Sequence, residues 1–343
     1  FFRHGSRTPD PHEVYPNDPY AADNFYPTGF GQLTNNGKQK AYQLGKLLRA
    51  RYKHFLGENY TPDLVWTKTT DVDRTKMSAL LVLAGLFPPS SSQTWEHNLN
   101  WMPIPYHYDK FTNDYDLRRP NSYCPRYMRE LTNVLNSDAA KKFLKEHSLT
   151  FQYVSKHSGR QLDKLTDMFS MYQVLHSEEN MNMTLPKWTR SVYPDTIRYL
   201  AAEQCTLENS TPLLKRLNGG RMLKKVIQNM INKSEGVFDP PGRKIFLYSG
   251  HDNNVINILA ALNLYEPHFP NYSAAVLIEL YRLNHTNQHY VKVLYVKDVS
   301  SEPEEQQFPE CGNFCSLAQF IYIAEPHLPI NYTRECHSTV LLD

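Results

Sequence analysis

Long apolar runs are missing from this chain. The longest, residues 80–86 with their neighbours, falls far short of the ~20 residues that cross a bilayer, so no segment reads as a membrane-spanning helix. Net charge is nearly missing too: 37 Lys and Arg stand against 35 Asp and Glu, a formal +2. That balance leaves no basic footprint for nucleic acid or for an anionic membrane surface. Cysteine is sparse, at positions 124, 205, 311, 315 and 336. Cys311 and Cys315 could form half of a zinc site, but no second close pair of Cys or His completes it. The 14 histidines are scattered, and His285 with His289 straddles a turn instead of one helix face. Nothing in the sequence calls for a metal or an organic cofactor. No repeat or low-complexity tract is visible. No secretory leader is visible either, so the sequence reads as processed or trimmed.

What is present begins with 23 Tyr and 23 Pro in 343 residues, a composition that implies long ordered loops. The length suggests about two domains. Sequons occur at Asn59, Asn182, Asn209, Asn232, Asn271, Asn284 and Asn331, and Pro62 follows Thr61 in the first. Seven in one chain favour a secretory route, with the last six as glycosylation candidates. In a secreted chain Cys311 and Cys315 read as a short-loop disulfide.

Two elements carry chemistry. The first is Arg3-His4-Gly5-Ser6-Arg7-Thr8-Pro9. Guanidinium forks match phosphate oxygens at two points and stay charged at any working pH. An imidazole among them can attack phosphorus if one ring nitrogen is neutral and unprotonated. The second is Ser249-Gly250-His251-Asp252, after the apolar run Ile245-Phe246-Leu247-Tyr248, which adds an imidazole and a carboxyl group. A lone R-H-G also suits a solvated basic face, and a lone His-Asp is a weak signal. Their joint occurrence points to phosphoryl transfer by side chains alone.

Strand-then-helix patterns place these motifs. Thr34 is a plausible N-cap for a helix with face Ala41, Leu44, Leu47, Leu48 and Phe55, ending near Gly57. Leu64-Val65-Trp66-Thr67 reads as a strand, and Asp73 as the cap of a helix with face Met77, Leu80, Leu81 and Ala84. That places Arg74 in the first turn, where an anion is welcome. The late apolar run is a buried strand, followed by a helix with Val255, Ile256, Leu259 and Leu262 inward. Residues 274–278 and 290–295 read as a hairpin. Segment 124–211 reads as helices over 129–135, 139–147, 164–178 and 192–204, and 214–231 as one long helix. The expected fold is α/β: a mostly parallel central sheet with helices on both faces, residues 1–123 and 212–343, and an inserted, mainly helical cap, 124–211.

The heptamer, His251-Asp252, Asp73-Arg74-Thr75, and Leu33-Thr34 with Gly37 together resemble the histidine acid phosphatases over nearly the whole chain. Within that family the chain resembles the secreted insect enzymes of the venom type more than the prostatic and lysosomal ones. The resemblance implies that His4 is the nucleophile forming a phosphohistidine. It implies further that Arg3, Arg7, Arg74 and His251 bind the phosphate, and that Asp252 is the general acid. It implies a Cys124–Cys336 disulfide, leaving Cys205 as a buried thiol, and a homodimer. It also implies a central strand before the first motif, of which Phe1 and Phe2 are the end. Gly5 is expected to leave room for the phosphate.

The sequence therefore reads as a secreted acid phosphatase acting on small phosphate monoesters. A phytase-like inositol-phosphate phosphatase shares both motifs, but its polyanionic substrate asks for a more basic mouth. A mutase-like transfer suits the longer R-x-P half of the heptamer less well. An inactive scaffold that only binds a ligand is the reading of another class.

Overall fold

The structure, a computed structural model, describes residues 1–118, 123–284 and 286–337. His285, weighed above as a metal ligand, lies outside them. One sheet organises the chain. Its strands are β1 (Phe2–Arg3), β2 (Val65–Thr69), β3 (His107–Tyr108), β4 (Ile245–Gly250), β5 (Ala275–Arg282), β6 (His289–Val296), β7 (Glu304–Glu305) and β8 (Cys315–Ser316), in the order β3-β2-β4-β1-β5-β6-β7, with β8 also paired to β6. β3, β2, β4 and β1 run parallel; β5 is antiparallel to β1 and opens the antiparallel half. Strand β4 shows why: Ile245 and Leu247 join the core on one face, Phe246 and Tyr248 the core on the other. A strand buried on both faces has no polar side to alternate with.

Helix α1 (Asn35–Leu56) starts where Thr34 Oγ1 accepts the Gly37 N–H, as its sequence implied, and ends at Gly57, whose φ of 80° suits glycine. Helix α2 (Asp73–Leu86) crosses it with the backbones in contact: a side chain at Gly45 would strike Val82, and one at Gly85 would strike Tyr42. That crossing corrects the expected faces. Ala79, Val82, Leu83 and Leu86 are buried, whereas Met77, Leu80, Leu81 and Ala84 are only half-buried. Phe55 is exposed, and Leu56 takes its place inside. Asp73 is the first residue of α2 and not its cap; Val72 holds that position without a side-chain bond.

The middle segment is helical: α3 (Pro125–Leu135), α4 (Asp138–Glu146), α5 (Ser148–Ser158), α6 (Leu165–Asn180) and α7 (Asp195–Leu207). Helix α5 had no counterpart in the sequence reading. Helices α5, α6 and α7 enclose their own core, into which Tyr15 and Phe269 project from outside the segment. Helix α3 packs elsewhere, with α8 (Pro212–Asn218) and α12 (Tyr332–His337) around the Cys124–Cys336 disulfide. That bridge closes a separation of 212 residues, which the chain-entropy account values at about 5 kcal/mol. Cys311–Cys315 is also formed, and the buried Cys205 takes part in neither bridge. The long helix expected over 214–231 is two helices, α8 and α9 (Gly220–Ser234). They are interrupted at Gly219, whose backbone sits too close to the Asn257 carbonyl for any side chain. Asn257 belongs to α10 (Asp252–Ala261), which with α9 and α11 (Leu317–Ala324) covers the second face of the sheet.

One sequon is corrected by burial. Asn209 is 4% exposed, and its amide donates to Cys205 O at 3.1 Å and Asn257 Oδ1 at 3.1 Å. A glycan there has no room in the folded chain. Asn182, Asn271, Asn284 and Asn331 are exposed, and Asn232 is half-buried.

The loop over residues 10–31 is fastened to the helical segment. Arg160 donates to the His12 and Val14 carbonyls, and Asn17 to His157 O. Between them Glu178 of α6 is wholly buried beside Asp18. Burial, then the charge of Asp18, pushes the Glu178 carboxyl up to about 9. An unfolded glutamate loses its proton near 4.5, so between these values the folded state holds more protons and stability falls as pH rises. Glu178→Gln is expected to match the parent near pH 4 and to exceed its stability at pH 7 by roughly 2–3 kcal/mol. Urea denaturation at the two pH values checks this, and an equal difference at both would contradict it.

Candidate active site

The expected residues come together at the C-terminal edge of the parallel strands. β1 pairs with β4 through Phe2↔Ser249 and Arg3↔Gly250, so the next residues, His4 and His251, emerge side by side. Their ring centroids are 5.5 Å apart. The His4 N–H donates to Gly250 O at 3.0 Å, and its carbonyl accepts from Ser273 N at 3.1 Å, which fixes the backbone from both neighbours. Asp252 follows as the first residue of α10, and Arg74 reaches in from the first turn of α2. This is the crevice that open α/β sheets use for ligands.

His4 is 2% exposed. Its Nδ1 lies 2.8 Å from Gly5 O, which can only accept, so Nδ1 carries the proton. Its Nε2 then holds a lone pair, towards which Arg74 Nε donates at 3.2 Å. Burial, followed by the charges of Arg74, Arg3, His251 and Arg7, holds the imidazole well below the usual histidine range.

Each arginine meets a carboxylate. Arg3 is wholly buried; it donates to Pro270 O at 2.7 Å and approaches Asp252 Oδ2 at 3.2 Å. Its guanidinium lies over the rings of Tyr272 and Phe269, 4.1 and 5.0 Å from their centroids. Arg7 forms a two-point pair with Glu13, at 2.7 and 2.6 Å. Arg74 meets Asp10 at 3.4 Å and Gly31 O at 3.3 Å. Asp10, His12 and Glu13 bring their ligand atoms within 4.8 Å of one another, and both carboxylates are engaged by these arginines. Among the described residues, Nε of Arg3 and Nε of Arg7 are buried donors with no hydrogen-bond partner. His251 Nε2 lies 3.1 Å from Thr70 Oγ1, and its N–H donates to Asn254 Oδ1 at 2.8 Å.

Burial pushes the Asp252 carboxyl up, but Arg3, His251 and the hydrogen bonds from Gln173 and Asn253 outweigh it and leave a net lowering. The Oδ2 of Asp252 faces the Gln173 amide and Arg3 and its Oδ1 accepts from the Asn253 N–H, the surroundings of an ionised carboxylate. Gly5 corrects an expectation: its missing side chain faces the backbone of Gly37 in α1, not the anion crevice. Sequence reasoning missed Asp10, Glu13, Gln173 and Tyr272. Three clustered guanidiniums imply counter-charges nearby, but nothing in the pattern named them, and Gln173 sits in a remote helix with no motif around it.

The described residues contain no helix long and apolar enough to cross a membrane. Comparison with known proteins accords with this geometry. A family model described as the histidine phosphatase superfamily (branch 2) matches residues 1–296. The chain is 38% identical over 337 residues to venom acid phosphatase Acph-1 of Apis mellifera, covering 98% of this chain and 86% of that protein. It is 33% identical to the prostatic acid phosphatase of Homo sapiens, with coverage of 98% and 86%. The lysosomal acid phosphatase of Rattus norvegicus is 31% identical, with coverage of 98% and 78%. Among solved structures, the Citrobacter braakii phytase superposes with a TM-score of 0.72 at 17% identity, covering 98% of each chain. At that identity the likeness is one of fold alone. The convergent crevice and these relatives make the chain a member of the histidine phosphatase superfamily, branch 2.

Proposed function

We propose that the chain is a secreted acid phosphatase that hydrolyses small phosphate monoesters through a phosphohistidine on His4. The observation that carries this reading is the fixed, neutral imidazole whose Nε2 lone pair faces the arginine cluster. Nε2 attacks phosphorus as the bond to the leaving oxygen breaks, and that oxygen takes a proton from Asp252. Water then attacks the phosphohistidine, its proton passes through Asp252 to the product, which departs as dihydrogen phosphate, and the electron pair of the N–P bond returns to Nε2, leaving Asp252 ionised as it began. Arg3, Arg7, Arg74 and His251 hold the non-bridging oxygens and offset their charge in the transition state. The buried Nε donors of Arg3 and Arg7 support that role, since orphan donors are rare in protein interiors. A monoanionic ester brings the proton that the ionised Asp252 lacks, which ties turnover to acid.

A phytase-like activity is less well supported. Among the described residues Asp10, Glu13 and Asp252 meet the three arginines, which offsets the positive charge that an inositol polyphosphate would draw on. The relatives at 31–38% identity are acid phosphatases. Two disulfides, the exposed sequons and the venom relative support secretion. A homodimer belongs to the same reading, and the solvent-exposed edge strand β3 offers backbone groups to a second copy.

His4→Ala is expected to cut turnover of p-nitrophenyl phosphate by at least ~1,000-fold while the fold survives. Quenching the parent in alkali with labelled substrate is expected to leave label on the His4 peptide, stable in base and lost in acid. Wild-type turnover in the His4→Ala variant would remove the phosphohistidine reading, and a parent that binds phosphate esters without turning them over would favour a binding protein. The rate is expected to fall as the ester's second ionisation, near pH ~6, removes the monoanion. A profile peaking above neutral pH would contradict the acid assignment. Enzymatic deglycosylation in heavy-oxygen water, read by peptide mass, is expected to leave Asn209 unlabelled while marking at least one of Asn182, Asn271, Asn284 and Asn331.

A further inference from the structure

Gln173 reaches the crevice from α6, 79 residues before Asp252, and is 5% exposed. Its Nε2 lies 2.9 Å from Asp252 Oδ2, and its Oε1 lies 3.2 Å from Arg3 Nη2. Arg3 Nη2 is itself 3.2 Å from the same Asp252 oxygen, so the three side chains close a triangle. A carboxamide can exchange its oxygen and nitrogen by a half-turn, and its partners decide which way it sits. A guanidinium has donors only, so Arg3 must face Oε1. Nε2 is thereby aimed at Asp252, whose Oδ2 must accept. Oδ1 accepts too, from the Asn253 N–H at 2.8 Å. A proton on Oδ2 would point at another donor.

We propose that Gln173 is a positioning residue whose amide, locked by Arg3, keeps Asp252 as an acceptor until a substrate phosphate takes over Arg3 Nη2. The amide is then released to turn, and Oε1 accepts from the newly protonated Asp252. The proton comes from the monoanionic ester, and Gln173 gains and loses none. Asp252 is thus loaded as an acid only when substrate occupies the crevice. The charged or titratable groups that face Asp252 are Arg3 from β1 and His251 from the β4–α10 junction, while α6 brings the neutral Gln173. This inference rests on the reading of Asp252 as the general acid.

The test compares pH profiles of kcat/KM for glycerol 2-phosphate, whose poor leaving group needs the proton. Gln173→Met keeps the length of the side chain and removes the hydrogen bonds. Gln173→Glu keeps the shape and still accepts from Arg3, but offers Asp252 no donor when ionised. Both changes favour the protonated acid in the free enzyme, so the acidic limb, where Asp252 takes up a proton before substrate arrives, is expected to move to higher pH, by roughly one unit for the Met variant and further for Glu. The alkaline limb follows the ester's own ionisation and is expected to stay in place in every protein, so the acidic limb is the one compared. A purely structural role would lower the rate without moving the acidic limb, and acidic limbs that stay in place in both variants would overturn the inference. Asp252→Asn separates the two failures. If the limb survives in that variant, the general-acid reading falls and this inference with it. If the limb depends on Asp252 yet ignores Gln173, this inference alone fails.

Discussion

The parallel pairing of Phe2 with Ser249 and Arg3 with Gly250 is the constraint on which the site depends. It brings segments nearly 250 positions apart into adjacent strands and aligns their ends to the residue. A slip of one position would turn Arg3 out of its place over Tyr272 and carry His4 away from the Gly250 carbonyl. Two residue pairs alone are a thin hold. The register is secured by what flanks them: Arg3 N bonds to Ala274 O, Val276 N to Phe1 O, and Ser273 N to His4 O. The antiparallel half of the sheet thus locks the strand that carries the imidazole.

Three guanidiniums in one buried crevice repel one another, and the fold answers with three carboxylates drawn from separate places. Asp252 comes from a helix start, and Asp10 and Glu13 from the loop that follows the heptamer. The pairs differ in grip. Arg7 and Glu13 share two short bonds, whereas Arg74 and Asp10 meet once at 3.4 Å. Arg74 is therefore the arginine an anion can claim with least disruption, and it is also the one that touches the His4 lone pair. Arg7 keeps an anchor while its buried Nε remains available.

The motifs were legible because each fixes chemistry within a few residues. Arg74, His251 and Asp252 lie where a strand gives way to a helix, and strand and helix periodicity placed those junctions, whereas His4 leaves β1 for a loop and its strand was expected only from the resemblance. Thr34 and Gly57 bounded α1 by local capping, which is sequence-readable by nature. What failed depended on a partner. The inner face of α2 is set by Gly45 and Gly85, whose meaning appears only when the two helices touch. Gly219 is the same case, since the carbonyl of Asn257 is what excludes a side chain there. Gln173 and Glu13 were invisible because a neutral amide and a loop carboxylate become specific only against the arginines they meet. Asn209 carried a correct local signal that tertiary burial annuls.

The Cys124–Cys336 bridge has a bearing on durability in a harsh medium. It staples the entrance of the helical segment to the last described helix, and everything from the Gln173 helix to the His251-Asp252 turn lies inside the covalent ring. A protease that nicks any surface loop within that ring opens the circle without releasing a fragment. The severed pieces stay tethered through sulfur, and the buried sheet still holds their strands in register. A first cut of that kind would stay hidden, revealed only once the thiols are reduced.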